Sequence, residues 1–143
     1  MPVSVSEHNL LLIFKHIQQY SPNPSAVQIV AVTKGFSYQA ILSAISCQIN
    51  CIGENKVQEF LSKKLKLKNH HFESHLIGHL QSNKIKKAVE NFDVIQTVDS
   101  INLAQKINNH MANINSKKNI FIQVNIGEDP KKFGIPPKEV LKK

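Results

Sequence analysis

The sequence predicts an α/β protein built on a parallel sheet, and three of its features carry that prediction. Five short apolar runs recur along the 143 residues. Between them lie segments whose apolar residues fall at helical spacing, so strand and helix alternate and successive strands run parallel through crossover helices. Four of the five glycines, Gly35, Gly53, Gly78 and Gly127, stand at or just after the ends of apolar runs. That is the carboxyl edge, where α/β proteins hold ligands. A doubly wound sheet and a barrel both satisfy these features.

Taken in order, Ser4-x-x-Glu7 fits a capping box, and Leu10, Ile13, Phe14 and Ile17 give an amphipathic helix over about residues 6–20, stopped by Pro22 and Pro24. Val27 to Thr33 is apolar apart from Gln28, which is how a strand covered on both faces reads. Ser37 caps a helix with Ile41, Leu42 and Ile45 inward. Cys51-Ile52-Gly53 is the second strand, and Asn55 caps a helix burying Val57, Phe60, Leu61 and Leu65. His75 to Gly78 is the third strand; Ser82 then caps a helix burying Ile85, Ala88, Val89 and Phe92. Val94 to Val98 is the fourth strand, followed by a helix capped by Asp99 or Ser100 and carrying Leu103, Ile107 and Met111. Ile120 to Ile126 is the fifth strand. After a loop, Pro136-Pro137 open a last helix, cut short at Lys143.

Composition bounds the function. With 41% hydrophobic residues the chain is long enough for one domain with a core. No stretch approaches the roughly 20 apolar residues of a membrane span, and MPVSVSEHNLL has no basic region ahead of an apolar core, so a cytoplasmic protein without membrane contact is expected. Eighteen Lys and Arg against ten Asp and Glu give a net charge of +8. The lysines are scattered, as at Lys63-Lys64, Lys86-Lys87 and Lys117-Lys118, with no aromatic residues between them for base stacking. They read as solvated helix faces, and no nucleic-acid partner is expected. Cys47 and Cys51 lie four apart with no second cysteine pair, which suits two reduced thiols better than a disulfide or a metal site. His75 and His79, about 13 Å apart along an extended strand, are too distant for one ion, and no metal is expected. Glu54, Asp93, Asp99 and Glu128 read as caps and surface charges.

Lys34 is the residue that calls for explanation. It closes the run IVAVTKG, and lysine is rarely placed at the end of a buried strand without a partner or a task. Partial desolvation at a sheet mouth, near the positive end of the following helix, favours a neutral amine, which is a nucleophile toward aldehydes and ketones. A structural lysine whose head reaches water is the competing reading.

The segment HLIGHLQSNKIKK, residues 75–87, resembles the signature of the pyridoxal phosphate homeostasis family, small proteins related in fold to the alanine racemase barrel. IVAVTKG, CIGENKVQEF, DVIQTVDS and IQVNIGEDPKKFGI are similar to further segments of that family, in the same order. The resemblance implies a parallel (β/α) barrel of the alanine racemase N-terminal type, truncated to about the first five of eight strands, so residues 1–143 form a single partial barrel domain. It implies pyridoxal 5'-phosphate as cofactor, held as a Schiff base on Lys34, with Asn55, Gly78 and the loop through Gln81 lining the cofactor mouth and Lys132 as a second basic group. The function so implied is cofactor homeostasis without catalytic turnover and without catalytic residues. The alternatives are a racemase-like enzyme, which in this fold needs a second domain, and a non-functional fragment. Two departures, Gly35 and Ser37 in place of the usual threonine and proline, are expected to loosen the lysine loop. The larger departure is length: the family's phosphate-gripping loops follow strands beyond the fifth, so a separate chain supplying the missing strands is a candidate partner.

Overall fold

In the computed structural model, which describes residues 4–140, strand and helix alternate as the sequence predicts. The helices are α1 (Glu7–Tyr20), α2 (Tyr38–Ser46), α3 (Val57–Lys64), α4 (Ile85–Asn91), α5 (Ile101–Asn113) and α6 (Pro137–Val140). The strands are β1 (Ala31–Val32), β2 (Cys51–Glu54), β3 (Glu73–Leu76), β4 (Val94–Val98) and β5 (Asn119–Ile122). Neighbours pair in parallel, in the order β1-β2-β3-β4-β5. A doubly wound sheet reverses its order at a switch point. This sheet does not, so its strand order selects the barrel-type arrangement. None of the described helices is long and apolar enough to cross a membrane.

Local chemistry sets most boundaries. Ser37 and Ser100 cap α2 and α5 as expected, their hydroxyls accepting from the Gln39 and Leu103 amides. Ser6 rather than Ser4 caps α1, accepting from Asn9 N. Neither Asn55 nor Ser82 caps a helix: Lys56 occupies the cap of α3 without a side-chain bond, and Ser82 opens a short 3-10 turn ahead of α4. The strands differ more. β1 is an edge whose ladder reaches only β2, so the run from Val27 is extended but laddered only at Ala31–Val32. β3 begins two residues before His75, because Glu73 and Ser74 pair with Cys51 and Ile52. β2 contains Gly53 as expected and runs one residue further, to Glu54. β5 ends at Ile122, and Val124 makes only an isolated bridge to Ile135. The last helix opens at Pro137; its expected end at Lys143 lies outside the described residues.

Two apolar clusters fill the layer between sheet and helices. The larger joins Val57, Phe60, Leu76, Ile95 and Val98 to Leu103, Ile107 and Met111. The smaller joins Leu10, Ile41, Ala44, Ile49, Ile52 and Leu67. Phe72 packs against both. Phe60 lies against Phe92 at 4.4 Å between ring centroids and edge-on to Phe72 at 6.4 Å. Three expected core positions fail: Leu65 is 67% exposed, and on α1 Ile13 and Phe14 are each 46% exposed.

Phe60→Ala removes the ring shared by this aromatic group. A loss of about 3–5 kcal/mol is expected from denaturant-induced unfolding, whereas an equally conservative change at the exposed Leu65 should cost far less.

Candidate functional site

Lys34 falls in the turn directly after β1, at the carboxyl edge. Thr33 is buried and directs its hydroxyl to Glu54 Oε1 at 2.6 Å, while Lys34, next along the chain, is exposed. Among the described residues its amine makes no hydrogen bond or ion pair. The partial desolvation expected of it is therefore not supplied by these five strands: the face on which Lys34 stands is open, as the 49% exposure of Val32 also shows. What the structure supplies instead is a fixed backbone.

That backbone is held from beneath by a buried ionic group. Lys63, on α3 and 6% exposed, donates from Nζ to Glu54 Oε1 at 2.6 Å, to Glu59 Oε1 at 2.7 Å and to the Thr33 carbonyl at 3.0 Å. An ammonium has three donors, and all three are used. Glu59 Oε1 also accepts the Gly35 N–H at 2.8 Å. The residues on either side of Lys34 are thus tied to the same cluster, Thr33 through its hydroxyl and carbonyl and Gly35 through its amide. The hydrogen bond from Lys63 first, and that from Gly35 second, hold the Glu59 carboxyl below its usual range. Gly35 itself has φ +77°, a left-handed conformation that a threonine would adopt only under strain. The loop expected to be loosened by Gly35 and Ser37 is therefore pinned, by a glycine fitted to its φ and a serine capping α2.

Glu54 and Lys63 correct the sequence reading. Glu54 is fully buried rather than a cap or surface charge, and Lys63 is not on a solvated face. The available signals were an acidic residue ending an apolar strand and the Glu59-x-x-x-Lys63 spacing, which puts both on one side of a helix. Asp93 is likewise committed, accepting from the Ser74 amide and hydroxyl at 2.7 Å each.

The loops after β2 and β3 meet one another. A side chain at Gly78 would stand 2.1 Å from the Asn55 carbonyl, so only glycine lets the loops after β2 and β3 meet. Asn55, Gln81, His79 and Lys84 line a cleft of about 400 Å³ beside that meeting point, and Lys34 does not line it. His79 Nδ1 lies 3.4 Å from Asp99 Oδ2, and its ring stacks on Phe133 at 3.7 Å, which draws the loop after β5 over that after β3. Asn125 braces this loop, donating to the Asp129 carbonyl and accepting from its amide. Lys132 is 75% exposed and faces Asp129 at 3.7 Å. His75 and His79 are not paired: His75 bonds Glu73 and Gln96 instead.

A family model described as alanine racemase, N-terminal domain, matches residues 7–143. The pyridoxal phosphate homeostasis protein of Haemophilus influenzae is 36% identical over 141 residues, 94% of this chain and 60% of that protein. PipY of Synechococcus elongatus, solved with PLP bound, matches with a TM-score of 0.77 at 32% identity, covering 94% of this chain and 62% of that one. An alanine racemase of Clostridium difficile matches with a TM-score of 0.70 at 15% identity, over 97% of this chain and 37% of that one, a likeness of fold alone. The resemblance read from the motifs is borne out by these names, and the chain spans about 60% of the length of its curated relative.

Lys63→Met leaves two carboxylates facing one another without their cation, and a stability loss of about 3–5 kcal/mol is expected in chemical denaturation. The Glu59 carboxyl, lowered in the folded state, contributes stability that is present above its ordinary value of 4.5 and is lost as pH falls through the folded value. Thermal unfolding below pH 4.5 should therefore decline less steeply in Glu59→Gln than in the unaltered protein; equal slopes would contradict this bond. Gly78→Ala must displace the Asn55 backbone and should cost about 1–3 kcal/mol, read as a lower melting temperature.

Proposed function

The chain belongs to the alanine racemase N-terminal domain family, and from that premise we propose that it is a pyridoxal 5'-phosphate-binding protein of the homeostasis type, holding the cofactor as a Schiff base on Lys34 without catalytic turnover. The observation that carries this reading is an exposed, unpartnered amine in a turn whose flanking residues are both fixed.

The donor set fits the cofactor at its aldehyde end. Pyridoxal phosphate, when bound, supplies an electrophilic aldehyde carbon and a doubly ionisable phosphate. The Lys34 amine condenses with that aldehyde, one water leaving. Thr33 and Gly35, held by Lys63 and Glu59, keep the Lys34 backbone at one place on the edge, which limits the volume its amine explores. Asn55 stands at the neighbouring loop as a polar contact for the cofactor mouth. Oε1 of Glu54 and Oε1 of Glu59 are committed to Lys63, Thr33 and Gly35, which makes the two carboxylates positioning groups for the turn. The names of the curated relatives support storage or delivery of a reactive aldehyde over turnover.

The phosphate end calls for more protein than these strands. β5 is an edge strand with Phe121 54% and Ile122 56% exposed, an unpaired ladder of the kind that another strand completes. We read these five strands as part of a barrel in which further strands pair with β5 and carry the phosphate grip.

Mixing the protein with pyridoxal phosphate should produce the absorbance band of a protonated Schiff base. Borohydride should then fix the cofactor on Lys34, and Lys34→Ala should abolish both signals. A protein without the band, or with the label on another lysine, overturns the assignment. Alanine enantiomers incubated with the loaded protein should keep their configuration, and racemisation would overturn the non-catalytic reading.

A further inference from the structure

A second chemical cluster lies toward the amino-terminal starts of β2 and β3, away from the Lys34 edge. We propose that Cys51, Glu73 and His75 form a binding site for one divalent cation of the zinc class. One ligand atom from each of the three residues lies within 4.8 Å of the others. The register produces this placement: Cys51 is the direct cross-strand partner of Glu73, and His75 follows Glu73 by two residues on the same strand. Residues two apart on a strand, and their direct cross-strand partners, share a face. Two strands thus present three donors as one facet, which leaves a fourth position for water.

The donors suit that metal class. Thiolate, imidazole and carboxylate are the ligands of zinc and its spectroscopic substitute cobalt, at about 2.0–2.3 Å from the ion. Sites of this geometry need ligand atoms closer than the present spread by no more than a small side-chain movement. Cys51 and His75 are each 3% exposed, whereas Glu73 is exposed. A cleft of about 580 Å³ lined by Cys51, Glu73 and His71 leads in from solvent, and His71 offers a further imidazole along it.

The outer partner of a ligating imidazole is also in place. His75 Nε2 contacts Glu73 Oε1, and its Nδ1 lies 2.7 Å from the Gln96 amide. That amide can present its oxygen to an Nδ1 proton by a flip, freeing Nε2 for the ion. Without a cation, burial first and the Glu73 and Asp93 carboxylates next push the Cys51 thiol up to about 11, so it is protonated at neutral pH. Metal binding forms the metal–sulfur bond and releases that proton to solvent. No redox step is involved.

The test is a titration of chelator-treated protein with Co(II), followed by Zn(II). One equivalent of cobalt should raise a thiolate-to-cobalt charge-transfer band, and zinc should remove it. Cys51→Ser should abolish the band. His75→Gln should weaken cobalt binding by about tenfold or more, the scale at which even the outer partners of metal ligands act. Circular dichroism checks that these buried variants fold. Glu73→Gln alters an exposed position and should also weaken binding, which keeps the test decisive if a buried variant fails to fold. A titration without a saturable band, a band that survives in Cys51→Ser, or binding unchanged in Glu73→Gln overturns the proposal.

Discussion

One buried ammonium organises the functional edge of this sheet. Lys63 cannot lie at 6% exposure without compensation, because a buried charge without partners costs several kcal/mol. The chain compensates it with two carboxylates and a main-chain carbonyl, and that carbonyl belongs to Thr33, the residue before Lys34. Electrostatic necessity at one point of the helix layer thereby becomes geometric constraint at another on the sheet edge. Glu59 extends the constraint past Lys34 by accepting the Gly35 amide.

The same cluster depends on packing that has no polar content. Lys63 follows Phe60 by three residues on α3, so the two occupy neighbouring positions on the helix surface. Phe60 is fixed between Phe72 and Phe92, and that aromatic group sets where α3 lies against the sheet. The route runs from aromatic burial to helix placement, from helix placement to an ammonium under β1, and from the ammonium to the turn that carries Lys34. The lysine need not be buried for its backbone to be fixed: Thr33 before it is buried, and Gly35 after it is bonded to Glu59.

The pattern of elements was legible in the sequence wherever one local signal sufficed. β4 spans the five apolar-run residues expected of it, and Ser37 and Ser100 cap their helices because a serine before a periodic run is a local device. β1, β3 and β5 were misjudged because ladder length depends on the neighbour: Glu73 and Ser74 are strand residues through pairing with β2, not through their own polarity. Asn55 failed as a cap because close backbone approach at Gly78 sets its place. The ionic cluster was hidden for a related reason. Thr33, Glu54 and Lys63 lie 21 and 9 residues apart along the chain, and only the fold brings them to one point. Cys51 and His75 meet through register alone, which no spacing rule for metal ligands encodes.

The central claim is that Glu59 and Lys63 fix the turn around Lys34, and the Gly35 amide proton reports on it directly. Its NMR chemical shift, followed through acid titration, should change as the Glu59 carboxyl gains its proton, with a midpoint below the ordinary carboxyl value of 4.5. A Gly35 amide shift that stays flat through that titration, or that follows a carboxyl with an ordinary midpoint, would show the turn to be free of the buried cluster and contradict the account.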